Sequence, residues 1–213
     1  MAAKLVNREE KKGKIIYAAL KVFSKKGVSF TTISDIAKEA DIGKGTVYEY
    51  FKSKDEIIMS VFRSFLDDGI ILMNQIKKLS VSPDEKLLKG LYMFTEIIDD
   101  EGVETFKLLF DFWAIGIKEE KYSSEFYNQM KEFYRSYRKI FSDIIKEGQE
   151  KGIFREKIEP ESVGAMIIGM LDGLMAQWIL DRDRIDYIGA VRTMAKLLVS
   201  GLNINKKRGE KND

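Results

Sequence analysis

Apolar residues recur at helical spacing along almost the whole chain, and no run shows sustained apolar–polar alternation bounded by turn signals. Ile15, Ile16, Ala19, Leu20 and Phe23 share one face, with Gly27 where a helix stop is expected. Ile33, Ile36, Ala37 and Ala40 repeat at i, i+3, i+4 and i+7 behind Thr32, a natural N-cap, and Asp35 is placed to close an aspartate version of the capping box. A break at Asp41-Ile42-Gly43 precedes a brief helix in which Val47 and Phe51 share a face. Ser53 then caps a longer helix bearing Ile57, Val61, Phe65 and Ile76. Pro83 suits the first turn of the next, which carries Leu87, Leu91, Phe94 and Ile98. Further stripes follow: Val103, Phe106, Phe110, Trp113 and Ile117, then Phe126, Met130, Phe133, Tyr137, Ile140 and Ile144, ending near Gly148 and Gly152. Pro160 opens an apolar helix through Leu180, and Ile188, Val191, Ala195, Leu198 and Leu202 mark the last. The spacing predicts an all-α protein of about nine helices, with residues 205–213 a polar, disordered tail.

Composition narrows the chemistry. The 213 residues include no Cys and no His. That excludes a disulfide framework, a thiolate nucleophile, a Cys- or His-based metal site, a Ser-His-Asp triad and an imidazole pH switch. No metal or cofactor is expected, and an enzyme would need an unusual kit. Residues 1–8 lack the apolar core of a signal peptide. Residues 163–180 are the one stretch resembling a membrane span, but eighteen residues is the short limit and a central Asp172 costs roughly 3 kcal/mol in a bilayer. A fully buried helix in a cytoplasmic protein is the expectation.

Charge is divided unevenly. Residues 1–54 carry a net +6 and residues 55–213 a net −4, within an overall +2. A basic head on an acidic body points to an anionic partner for the head alone. Two short helices around a three-residue break containing Gly fit a helix-turn-helix, whose second helix enters the major groove of DNA. That second helix offers Lys44, Gly45, Thr46, Tyr48 and Tyr50, side chains suited to phosphates and base edges. Thr31 and Thr32 open the first helix of the pair and Lys54 opens the next long one, places where backbone N–H groups and the helix dipole favour a phosphate.

The run Thr31-Thr32-Ile33-Ser34-Asp35-Ile36-Ala37, then Lys44-Gly45-Thr46-Val47-Tyr48-Glu49-Tyr50-Phe51 and Ser53-Lys54, closely resembles the tetracycline-repressor (TetR) family of bacterial transcription regulators. The match covers about residues 11–62. The resemblance implies that Thr32, Tyr48, Tyr50 and Lys54 contact the DNA backbone while Lys44, Gly45, Thr46 and Glu49 line the groove. Gly43 departs from the pattern, standing where Ser or Thr often caps the recognition helix. Glu49 has two readings: a carboxylate that accepts from a cytosine amine, or a solvent-facing Glu in an intrahelix pair.

On this reading residues 1–53 form a three-helix DNA-binding domain and residues 54–204 a helical domain for effector binding and dimerisation. Ala165, Gly169, Gly173 and Ala176 make a stripe of small residues that lets helices pack closely. The resemblance implies that the last two helices, with Val191 and Leu198 on the second, pair with their mates as a four-helix bundle in a homodimer. It also implies a small-molecule pocket in the body. Phe65, Met93, Phe110, Trp113, Met130 and Met170 are the apolar candidates for its lining, with Tyr134, Tyr137 and Gln177 as polar anchors. The expected function is a repressor released from a palindromic double-stranded DNA operator when a small apolar or aromatic molecule binds. Two alternatives stand beside it: a helix-turn-helix protein without an effector, and an all-α enzyme built on the cluster Asp99, Asp100, Glu101 and Glu104.

Overall fold

The computed structural model describes residues 2–96, 107–108, 110–112, 114, 118 and 120–204, with backbone only at 2–7 and 120–123. Eight helices have defined bounds: α1 (Ala2–Lys26), α2 (Ile33–Glu39), α3 (Lys44–Tyr50), α4 (Lys54–Lys77), α5 (Pro83–Glu96), α6 (Glu120–Glu150), α7 (Pro160–Leu180) and α8 (Tyr187–Leu202). The described residues of 107–118 are helical too. No strand occurs among the described residues, only an isolated antiparallel bridge between Phe154 and Asn203. The all-α expectation holds. Trp113, the carboxylates of 99–104 and the tail 205–213 lie outside the described residues.

The chain forms two compact units, Met1–Gly69 with Asp99–Lys131 and Ile70–Ile98 with Glu132–Asp213. The expected head, residues 1–53, lies wholly within the first, which also takes in the opening of α4 and part of α6. In this unit α1 packs on α2 and α2 on α3. Ile15, Ala19 and Phe23 of α1, Ile36 and Ala40 of α2, and Val47 and Phe51 around α3 are almost wholly buried. The small side chains at 37 and 40 give α2 a flat flank for its neighbours.

The turn joining α2 to α3 closes as a Schellman motif. The Ile42 N–H donates to the Ala37 carbonyl at 3.0 Å and the Asp41 N–H to the Lys38 carbonyl at 3.2 Å. Asp41 takes the left-handed position at φ 52°, a site that usually falls to Gly and that Asp tolerates better than most residues. Gly43 is ordinary extended backbone at the N-cap of α3. The glycine in the break is therefore not the residue that turns the chain.

In the second unit α5 packs along α8, and α7 against α8. α6 ends in a second Schellman motif, with Gly152 at φ 64° and the Ile153 N–H on the Gly148 carbonyl at 2.8 Å. Phe154, wholly buried, folds back over Gly148. The Gln149 amide then pins the following loop through the carbonyls of Arg155 and Ile158, at 3.0 and 2.7 Å. The Lys86 ammonium, buried, donates to the Glu147 carboxylate at 2.8 Å and so ties α5 to α6.

α7 corrects one expectation. It is the one helix among the described residues long and apolar enough to cross a bilayer, yet it is packed along a single face, by Val163, Gly164, Ile167, Ile168, Leu171, Met175 and Trp178. A Cβ at Gly164 would stand 2.7 Å from the Arg138 carbonyl oxygen, so this glycine sets how closely α7 crosses α6. The opposite face stays open, with Met166 57% exposed and Leu180 86%. Mean hydropathy registers an apolar helix and does not say which chain covers it.

Gly148→Ala tests this packing. Ala in a helix is ordinarily worth up to about 1 kcal/mol over Gly, but here its methyl overlaps the Phe154 ring. Overpacking of this kind costs about 1–3 kcal/mol. Urea unfolding is expected to show net destabilisation, and an unchanged or raised midpoint would contradict the packing described.

Candidate nucleic-acid interface and effector region

Thr32 caps α2 in a closed capping box: its hydroxyl accepts from the Asp35 N–H at 3.2 Å, and Asp35 accepts from the Thr32 N–H at 3.0 Å. Lys26 also donates to Asp35 and is the main reason that this carboxyl sits well below the usual carboxylate range, the Thr32 bonds adding to the effect. The box stays ionised across the neutral range and loses strength only as pH falls below that of an ordinary carboxylate.

Two of the proposed phosphate contacts are engaged within the chain. Thr31 is buried and its hydroxyl donates to the Gly27 carbonyl at 2.8 Å. That overturns its expected part: its hydroxyl locks the loop between α1 and α2, and no side-chain surface remains for a phosphate. The Lys54 ammonium donates to the Ser29 carbonyl of the same loop at 3.2 Å, tying the start of α4 to the approach of α2. The Thr32 N–H, expected to be open to a phosphate, is the one held by Asp35.

α3 divides cleanly. Val47 points into the core and Thr46 and Tyr50 are half-buried, whereas Lys44, Gly45, Tyr48 and Glu49 are exposed along one continuous face. Gly43 makes no side-chain cap, matching the departure seen in the sequence. Gly45 is informative because its backbone is ordinary helix, and an added Cβ would meet nothing within 4 Å. No packing or dihedral need of this chain explains a helix-weakening glycine there.

The proposed effector residues fall into both units. Phe65, Phe110 and Met130 belong to the first, where Phe62 stacks on Phe126 with ring centroids 5.2 Å apart and meets Phe112 at 5.3 Å. Met130 is buried, while Phe110 is 43% exposed. Met93, Tyr134, Tyr137, Met170 and Gln177 belong to the second unit. There Tyr137 is buried, 4.4 Å from the Phe133 ring and 6.2 Å from Phe94, and burial pushes its phenol above the ordinary range. Tyr134 donates its hydroxyl to Asp172 at 2.9 Å. Desolvation raises both groups, and the Asp172 charge adds to the effect on the phenol. Asp172 was visible as a polar interruption in an apolar stretch, but its partner on another helix was not.

Met170 and Gln177 stand apart from Tyr137. They line an open groove between α7 and α8 with Met166, Gly169, Gly173 and Leu198, beside the stripe of small residues. Ala165, Gly169 and Gly173 are exposed and Ala176 and Leu198 partly so, all on faces left open among the described residues. Val191 is corrected: it is wholly buried within its own unit and offers no surface to a second copy. Periodicity placed it on the apolar side of α8 without distinguishing the inner side from the outer. No cluster of metal-ligating side chains occurs among the described residues.

Comparison with known proteins adds to this geometry. Residues 15–61 match the family described as bacterial regulatory proteins, tetR family, and residues 117–201 match the C-terminal region of YsiA-like proteins. The chain is 26% identical to the fatty acid metabolism regulator protein of Bacillus subtilis, over 89% of this chain and 94% of that one. It is 30% identical to the HTH-type transcriptional repressor KstR2 of Mycolicibacterium smegmatis over 72% of each chain. The crystal structure of the transcriptional regulator FadR from Bacillus subtilis in complex with stearoyl-CoA is similar at a TM-score of 0.67 and 27% identity, covering 90% of this chain and all of that one.

Gly45→Ala separates folding from recognition. The substitution is expected to raise unfolding free energy by up to about 1 kcal/mol, since the methyl meets open space, and to weaken binding to duplex DNA. A variant that is stabler and binds DNA as well as the parent would contradict the reading of this face.

Proposed function

The chain belongs to the tetR family of bacterial regulatory proteins, and from that premise we infer how its two parts divide the work of a ligand-responsive, DNA-binding repressor. The observation that carries this reading is the outer face of α3. Lys44, Gly45, Tyr48 and Glu49 are exposed together within residues 1–54, which carry a net charge of +6, and a Cβ at Gly45 would meet nothing among the described residues. Cations and phenols meet phosphates, and a bare backbone lets the helix approach base edges. Thr32, Thr46, Tyr50 and Lys54 support that approach from the flanks. The relatives are transcription regulators, not enzymes, and a reader of chromosomal DNA works in the cytoplasm.

The working form is a homodimer. The open groove on α7 and α8 is lined by methionines, leucines and glycines, with Leu197 69% exposed. A second copy placed by a two-fold axis covers that surface with its own, through Ala165, Gly169, Gly173, Ala176 and Leu198. Two copies of α3 about 34–36 Å apart then read successive major grooves of a palindromic operator.

The effector is a long-chain fatty acyl-CoA. Two things support this: the likeness over nine-tenths of the chain to a regulator bound to stearoyl-CoA, and the store of Met and aromatic side chains in both units, suited to an acyl chain. Phe65, Phe110 and Met130, all of the first unit, are the residues proposed to meet it. α4 has residues in both units, so a ligand that favours one placement of this helix shifts the population of DNA-binding dimers.

Fluorescence anisotropy of the protein on a duplex carrying its operator tests this. Stearoyl-CoA is expected to lower DNA affinity by about 5- to 150-fold, the usual range of allosteric coupling, whereas coenzyme A alone leaves it unchanged. No response to acyl-CoA of any chain length would contradict the effector assignment.

A further inference from the structure

We propose that Glu49 selects cytosine at one position of each half-site, an inference that rests on the DNA-binding reading of α3. Glu49 is exposed on the outer face of that helix, one turn after Gly45 and beside Tyr48. Gly45 leaves nothing to screen the carboxylate from the groove. The ordinary explanation of such a residue is an ion pair along the helix. None is formed: the Glu49 side chain makes no hydrogen bond or salt bridge to any described residue. The nearest cation in sequence, Lys52, lies beyond the end of the helix, and its backbone N–H is taken by Glu56.

An unpaired carboxylate on the DNA-facing side of a basic head is repelled by every phosphate it approaches. It is tolerated where a base edge supplies a donor. In the major groove guanine presents two acceptors and thymine one. Adenine presents an amine flanked by the N7 acceptor, and cytosine alone presents an amine with no acceptor beside it on the same base. The carboxylate of Glu49 therefore penalises guanine and thymine, meets a mixed edge on adenine, and is met by a donor with no competing acceptor on the same base only at cytosine. Discrimination of this kind works by making wrong sequences worse more than by making the right one better.

The test is competitive binding of the parent, Glu49→Gln and Glu49→Ala to the protein's selected duplex and to every single-base variant of one half-site. The parent is expected to prefer cytosine at one position by about tenfold. In Glu49→Ala that preference falls to within about twofold and affinity for unrelated duplex rises, while preferences elsewhere in the half-site persist. A duplex carrying 2-pyrimidinone at that position, cytosine without its exocyclic amine, should weaken the parent and leave Glu49→Ala relatively unaffected. If both variants bind all sequences more tightly with an unchanged profile, Glu49 merely repels the backbone and the proposal fails. If the parent prefers no sequence at all, the DNA reading of α3 fails and the assignment of Glu49 goes with it.

Discussion

The head of this protein depends on two seven-residue helices that could not persist alone. A helix of that length in water does not recover the cost of its nucleus, so α2 and α3 exist through their ends and their packing. The Thr32–Asp35 box holds the start of α2, with Lys26 reaching across from α1, and the Schellman turn at Asp41 holds its end. Between them Ile33, Ile36, Ala37 and Ala40 bury one face. These contacts set the angle at which α3 leaves the turn, and hence which side chains of α3 remain outside. The loop before α2 is held as firmly, through Thr31 on Gly27 and Lys54 on Ser29. The outer face of α3 is thus positioned largely by residues that lie off that face.

The second unit follows a different constraint. A helix that is apolar nearly all round has more surface than one neighbour can cover. α7 spends its bulkier side chains, Ile167, Leu171 and Trp178 among them, on its own unit and leaves Ala165, Gly169, Gly173 and, in part, Ala176 outward. Small residues make a poor monomer surface and a good seam, because they allow close approach of a second helix. In the proposed homodimer, dimerisation and DNA reading are linked through geometry, since half-site spacing is set by whatever holds the two heads apart.

Much of this was legible in the sequence. The capping residues Thr32 and Asp35, the stop at Gly27, and the first-turn prolines at 83 and 160 follow from local rules, and the helices begin and end where those rules place them. The exposed face of α3 was legible too, because every residue of that helix except Val47 is polar or Gly. What escaped was long range or two-sided. The Schellman turn uses Asp41 and not the glycine two residues on, a choice made by hydrogen bonds across the turn. Gly148 reads as a helix end but sits inside α6, where its purpose is a ring six residues later. Thr31 stands at a helix opening and Val191 on the apolar stripe of α8, and neither position tells a residue facing its own core from one facing a partner. The pairs Lys86–Glu147 and Tyr134–Asp172 join residues 61 and 38 positions apart, beyond any local pattern.

The central claim is that two copies of α3 read DNA together. Selection of binding sites from random duplex DNA, followed by titration of the winner between 50 and 200 mM salt, tests it most directly. The account predicts two inverted half-sites with centres about one helical turn, or a whole number of turns, apart, and an affinity that falls on the order of a thousandfold across that range. Enrichment of no sequence, or of a lone half-site bound equally well without its mate, would contradict it.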